Sequence, residues 1–263
     1  MRLAHHANAW MHAFRQADTG FDLPRLAAEA AEAGYVGVEL PAQPELIGSA
    51  EEVRDTLGTY GLSLPALGVE VPLLLDWANP QSFAASCVLA EALGVSVLVA
   101  CGGFNAQKRR VAFDREYAGF AQSLDHHARL AADHGCRLAF HPHLKSIVET
   151  DAELDRLLEH APDVDLCLDT GHLVAAGTDP IALLHRHADR TTHVHLKDWD
   201  PDAEVFREIG RGSAGLDFPA FFAALDTVDY TGWTVVERDS PKLPPLESAR
   251  LSKVGVDAAL TRA

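Results

Sequence analysis

What most restricts the fold of this chain is a unit that recurs along it: an Ala- and Leu-rich stretch, a glycine, then a short apolar run. "LPRLAAEAAEAG" at 23–34 precedes Val36–Leu40, "FAASCVLAEALG" at 83–94 precedes Val95–Ala100, and "YAGFAQSLDHHARLAADHG" at 117–135 precedes Arg137–Phe140. The stretches have helical periodicity, and each glycine stands where a helix is expected to stop. The apolar runs read as buried strands. Eight strands are expected: Leu3–His6, Val36–Leu40, Leu64–Val69, Val95–Ala100, Arg137–Phe140, Leu166–Leu168, Thr192–Leu196 and Trp233–Val236. Strands alternating with helices require right-handed crossovers and a parallel sheet, and eight such units in 263 residues fit a closed (β/α)₈ TIM barrel better than an open doubly wound sheet. No Gly-x-Gly-x-x-Gly follows an early strand, as a dinucleotide-binding fold would need. With no Ser/Gly-rich linker, residues 1–263 are expected to form a single domain. The stretch 243–263 is expected to form an amphipathic C-terminal helix, packed across the barrel bottom or against a neighbouring subunit.

A barrel of this kind places its chemistry at the C-terminal ends of its strands. Those ends are polar. Strand two ends at Glu39, strand five runs into His141-Pro142-His143, and strand six ends at Asp169 with His172 in "LDTGH". Strand seven ends at His195 with Lys197 and Asp198 in "HVHLKD", and strand eight at Glu237 in "VVERD". One such residue alone is more often a helix cap or a satisfied polar group, but five in register are hard to treat as independent. Carboxylates and imidazoles crowded at a buried point need a compensating cation. A mixed nitrogen and oxygen donor set suits Mn²⁺, Co²⁺, Zn²⁺ or Fe²⁺ better than Ca²⁺, with Mn²⁺ the first choice.

Charge narrows the partners. The net charge of −16, with no basic run longer than Lys108-Arg109-Arg110, argues against nucleic acid and anionic membrane surfaces. No apolar segment approaches the length of a membrane span, and Cys87, Cys101, Cys136 and Cys167 show no Cys-x-x-Cys pairing. A cytoplasmic protein with reduced, mostly buried thiols is expected, acting on a small molecule and possible as a homo-oligomer.

"LDTGHLVAAGTDP" at 168–180, "HVHLKD" at 193–198, "IGRGSAGLDF" at 209–218 and "YTGWTVVERD" at 230–239 resemble, in order and spacing, the xylose isomerase-like barrels of the sugar phosphate isomerase/epimerase family. The resemblance covers nearly the whole chain. It implies a divalent metal held by residues after strands five to eight, with Asp169, His195 and Glu237 matching the last three ligands. The first ligand, a Glu in the commonest pattern, is replaced by His141 here, which is similar to the His-x-His of the inosose dehydratase-like branch. His143 is then the alternative ligand, or the base. That branch usually carries Gly-Thr where this chain has Lys145-Ser146, so a different substrate pocket is expected.

The implied chemistry is proton abstraction beside a carbonyl of a keto sugar or keto-cyclitol, with His143 or Glu237 as base and Lys197 neutralising or orienting a substrate oxygen. Return of the proton to the same or the adjacent carbon gives an epimerase or an isomerase; loss of a β-hydroxyl gives a dehydratase, toward which the His-Pro-His segment leans. Glu39, His172, Trp10, Trp199 and Arg211 are expected on the substrate, with Phe104 a further aromatic near a strand end. Two rivals are weighed. The related apurinic endonuclease barrel needs histidines after strands three and four, where this chain has Gly68-Val69-Glu70 and Cys101-Gly102-Gly103. A barrel that only binds a partner would have no use for the charged cluster.

Overall fold

The computed structural model describes residues 1–69, 71, 80–102, 114–239 and 241–263, with 80, 81 and 114–116 described by backbone alone. The order is β1 (Arg2–His6), α1 (Asn8–Gln16), α2 (Leu23–Glu32), β2 (Val38–Pro41), α3 (Pro44–Ile47), α4 (Ala50–Thr59), β3 (Leu67–Val69), α5 (Pro80–Leu93), β4 (Val97–Ala100), α6 (Asp114–Ala132) and β5 (Arg137–Phe140). There follow α7 (Asp151–His160), β6 (Asp165–Asp169), α8 (Thr170–Ala175), α9 (Pro180–Arg186), β7 (Thr191–Leu196), β8 (Asp198–Asp200), β9 (Val205–Arg207), α10 (Phe218–Thr227), β10 (Trp233–Val236) and α11 (Pro245–Leu260).

Among the described residues, eight strands close a barrel in the order β1-β10-β7-β6-β5-β4-β3-β2, and every pair is parallel. Each expected strand is present, though β2, β3 and β4 begin two to three residues later than their apolar runs. Val36, for example, is exposed at 51%, outside the barrel ladder that β2 joins. The helix stops are as the sequence suggests: Gly34 and Gly135 take φ of 89° and 72°, a region costly for residues with a Cβ. The barrel interior holds a small apolar layer of Ala66, Val99, Ala139 and Cys167, while the larger core lies between strands and outer helices. Small side chains in that layer leave room above it for the polar ends of β5, β6, β7 and β10.

Two features depart from expectation. The antiparallel hairpin β8-β9 breaks the helix-strand repeat after β7, and nothing in the alternation announces it. The C-terminal helix α11 packs beside α10, α2 and α1 in the outer ring, where Tyr35 Oη donates to Ala249 O at 2.9 Å. It serves as the eighth outer helix and does not cross the barrel bottom.

His5 on β1 is fully buried against the rings of Trp10 and Tyr35, at 4.9 and 5.0 Å. Its Nδ1–H donates to His6 O at 2.8 Å, and its Nε2 has no partner. Burial above all, with Arg238 adding, pushes its pKa down to about 4, against the help of that hydrogen bond. Above pH 6.5 the group is neutral folded and unfolded. Between 6.5 and 4 only the unfolded chain takes the proton, so stability falls with pH across that window, by about 3 kcal/mol from this group. Denaturant melts at pH 7 and 4.5 should show a smaller acid loss for His5→Phe than for the unaltered protein; equal losses would rule His5 out as the cause.

Candidate active site

The strand ends deliver their polar residues to one place. His141 follows β5, Asp169 ends β6, His195 lies on β7 and Glu237 follows β10; all are buried. Asp169 also caps α8: its Oδ1 accepts from His172 N at 2.7 Å, which leaves Oδ2 toward His141 Nε2 at 3.0 Å. His195 Nδ1 lies 2.8 Å from Glu237 Oε2 and 4.0 Å from Asp169 Oδ2, and His141 Nε2 lies 3.7 Å from Glu237 Oε2. One donor atom from each of the four falls within 4.8 Å of the others.

The tautomer of His195 is set from behind. Glu39, fully buried on β2, accepts at Oε2 from His193 Nε2 at 2.7 Å and His195 Nε2 at 3.1 Å, so the His195 Nδ1 lone pair is turned to the cluster. His195 Nδ1 and Glu237 Oε2, both buried, face each other at 2.8 Å, and Lys197 Nζ lies 3.0 Å from the same Oε2. With His195 Nε2 committed to Glu39, its Nδ1 lone pair meets a carboxylate oxygen with no donor between them, a gap that a cation completes. Two imidazoles and two carboxylates fit a borderline divalent ion.

Lys197, with no exposed surface, lies beneath the cluster. Its Nζ is 2.8 Å from Asp239 Oδ2, 3.0 Å from Glu237 Oε2, 3.5 Å from Asp169 Oδ2 and 3.0 Å from His172 Nε2. Burial disfavours the ammonium, but Asp169, Asp239 and Glu237 outweigh it and hold the pKa above the ordinary lysine value. Burial likewise opposes ionisation of Asp169 and Glu237, yet Lys197 first, with the neighbouring imidazoles, keeps both below the usual carboxylate range. The ammonium also sits where His143, His172 and Asp239 would otherwise form a second ligand set.

A cavity of about 300 Å³ opens onto the cluster, with Met11, Val69 and Val99 on its apolar side and His6, Asn8, His143 and Asp239 on its polar side. His143 Nδ1–H donates to Leu144 O at 2.7 Å, which assigns the ring's acceptor lone pair to Nε2. Burial, then His141 and Lys197, push the His143 pKa down to about 4, so the ring is neutral.

The sequence model of a family described as "Xylose isomerase-like TIM barrel" matches residues 27–255. The chain belongs to this family. It is 30% identical to the inosose dehydratase of Geobacillus kaustophilus over 264 residues, an alignment spanning 88% of this chain and 85% of that one. Among solved structures, the 3-keto-D-glucoside 4-epimerase YcjR of E. coli superposes with a TM-score of 0.77 at 18% identity, covering 99% of each chain. The IolI protein with a bound zinc atom gives 0.77 at 19% identity, covering 100% of this chain and 99% of that one. These structural likenesses concern the fold.

Within this family barrel, the residues expected on a substrate divide. Glu39 lines the cavity, with Oε2 spent on the two histidines and Oε1 buried 3.5 Å from His6 Nε2. Trp10 does not reach it: the ring is fully buried between β1 and α2, with Nε1 donating to Glu29 Oε2 at 2.7 Å. His172 is 1% exposed, lies behind His143, whose ring is 3.8 Å away, and does not line the cavity. Trp199 packs on Phe206 within the hairpin, and Phe206 in turn edges His172 at 4.7 Å. Arg211 is exposed and lines a neighbouring cavity. Phe104, Glu70 and Gly103 lie outside the described residues. Asp198, a suggested partner for Lys197, instead accepts from the backbone N–H groups of Trp199, Gly210 and Gly212 and shapes the loop after the hairpin.

Sequence reasoning passed over His6, Asn8 and Asp239. Asn8 Nδ2 donates to Glu237 Oε1 at 2.6 Å and to Asp239 Oδ1 at 3.1 Å, tying β1 to β10 across the barrel seam. Inspecting the residues after the first strand as closely as the later ones would have found His6 and Asn8, since β1 ends in the same rim. Among the described residues no helix is long and apolar enough to cross a membrane.

Proposed function

We propose that this barrel is a divalent-metal-dependent enzyme that removes a proton beside the carbonyl of a keto sugar or keto-cyclitol and acts as a dehydratase of the inosose dehydratase kind. The observation that carries it is the cluster of four metal-type donors, three of which line one cavity together with the neutral His143 imidazole, with the buried Lys197 ammonium behind them. Similarity to an inosose dehydratase over 88% of the chain supports the cyclitol class. A divalent ion held by His141, Asp169, His195 and Glu237, Mn²⁺ first, would supply Lewis-acid polarisation of the carbonyl.

His143 is the base. Its ring lines the cavity beside the cluster, and a low pKa keeps it unprotonated at neutral pH. Glu237 is less suited, because Oε1 takes Asn8 Nδ2 and Oε2 lies between His195 and Lys197. Lys197 remains charged but does not line the cavity, so in place of the expected contact with a substrate oxygen it holds Asp169, Glu237 and Asp239 ionised from behind. Isomerisation or epimerisation shares this first half. Epimerisation asks for a second acid-base group on the opposite substrate face, and the commitment of Glu237 to Asn8 supports elimination instead. Free thiols at all four cysteines support a reducing compartment, the cytoplasm.

The test is incubation of Mn²⁺-loaded protein with inososes, 3-keto sugars and ketoses in D₂O. A new enone absorbance is expected; deuterium incorporation without it would turn the reading to isomerisation, and neither with any compound would end it. Glu39→Gln should leave the fold intact and weaken Mn²⁺ binding about 10- to 100-fold by titration calorimetry, because it loosens His195 without touching the ion. Unchanged affinity would mean that Glu39 does not set that ring.

A further inference from the structure

Beside the metal-side cavity lies a second one of about 610 Å³, between the β8-β9 hairpin, the segment after β10 and α11. Four of its eleven lining residues are cations: Arg207, Arg211, Arg238 and Lys242. That density stands out in a chain with 22 Lys and Arg among 263 residues and a net charge of −16. The three acids that line it are already matched: Asp200 with Arg207 at 2.8 Å, Glu208 with Arg238 at 3.2 Å, and Asp239 with Lys197 at 2.8 Å. Arg211 and Lys242, both exposed, are left without an acidic partner among the described residues. Arg238 is 4% exposed, and its Nη1 is buried without any acceptor. Its Nε is held by Glu208, but a buried guanidinium nitrogen without an acceptor costs free energy that an oxyanion would relieve.

Asp239 lines both cavities, and Phe206, on the wall of the second, covers Lys197 Nζ at 4.9 Å. The two spaces therefore share one wall residue, the Asp239 carboxylate. We propose that the second cavity is an oxyanion subsite, built by Arg211, Lys242 and Arg238, that takes a phosphate-type group. Two unmatched cations suit a dianion. The group arrives either as a substituent of the substrate, a source that rests on the function proposed above, or as a free anion that modulates the adjoining site.

The full-length protein is titrated with inorganic phosphate in a thermal melt, against chloride at equal ionic strength. A saturable rise in Tm is expected, with a half-maximal concentration at least ten-fold higher in R211E/K242E. Both side chains are exposed, so the variant should fold; should its phosphate-free melt differ, R211Q/K242Q takes its place. No saturable rise beyond chloride, or the same midpoint in the variant, overturns the subsite, and the second result would assign phosphate to the metal cluster. A second arm separates the sources. If the group belongs to the substrate, the ratio of kcat/KM for phosphorylated over neutral keto sugars falls at least ten-fold in the variant. If it is free, phosphate changes the turnover of a neutral keto sugar in the unaltered enzyme and not in the variant. Failure of every keto sugar to react would count against the proposed function, while the subsite would still stand or fall by the phosphate melt.

Discussion

Replacing His143 by alanine is expected to lower kcat about 10²- to 10⁴-fold, the range supplied by a positioned base, while the bound ion stays in place. His141→Ala is expected to lose the ion itself. The two residues stand either side of Pro142 and present similar rings, but their surroundings differ. His141 Nε2 lies 3.0 Å from Asp169 Oδ2 inside the four-donor cluster; His143 stacks on His172 and borders the cavity. Metal analysis of the purified variants beside their turnover separates these roles. Loss of ion from His143→Ala with retention by His141→Ala would reverse them. The same environment predicts a pH profile. A base must be unprotonated, and burial with His141 and Lys197 drives the His143 pKa from 6.5 to about 4. The acid limb of kcat/KM in ion-saturated enzyme should then lie toward pH 4, and a bound dication moves it in the same direction. A limb near 6.5 would point to a solvated imidazole and another base.

The alternation of helical and strand periodicities made the barrel readable, because every parallel strand needs its own crossover and several crossovers left a glycine stop, as at Gly34, Gly94 and Gly135. The four cluster residues were readable for a related reason: a strand end in such a barrel has one destination, so Asp169, His195 and Glu237 had to converge. Support from the opposite wall was not readable. Glu39 lies 156 positions before His195, and only the closure of the sheet brings its carboxylate to that ring. Trp10 misled because it follows β1 directly, yet α1 turns it outward against Glu29. The hairpin β8-β9 was missed since three-residue strands carry too little periodicity to announce themselves, and with it went the role of Phe206 over His172 and Lys197. His172 itself sits where the "LDTGH" motif suggested; its neighbours His143 and Phe206 are what separate it from the cavity.

Lys197→Met should show whether the carboxylates of this site were arranged around one cation or two. In the ion-free protein the ammonium is the charge that lies against Asp169, Glu237 and Asp239 together. Removing one partner of a buried ion pair leaves the other unmatched, at a cost of about 3–5 kcal/mol, and here two of the three stranded carboxylates belong to buried residues. Denaturant unfolding of the ion-free variant should register that loss. With saturating Mn²⁺ the loss should shrink by roughly 1 kcal/mol or more, because a dication at His141, Asp169, His195 and Glu237 neutralises Asp169 and Glu237 on its own and binds only the folded chain. Turnover should still fall, since Asp169 and Glu237 lose the buried charge that orients them and a thioether cannot replace it. The contrast between the two unfolding experiments is the informative quantity. Equal losses with and without Mn²⁺ would mean that the ion does not share these carboxylates, and the four-donor cluster would then have to be read as a salt-bridge network organised by Lys197 alone.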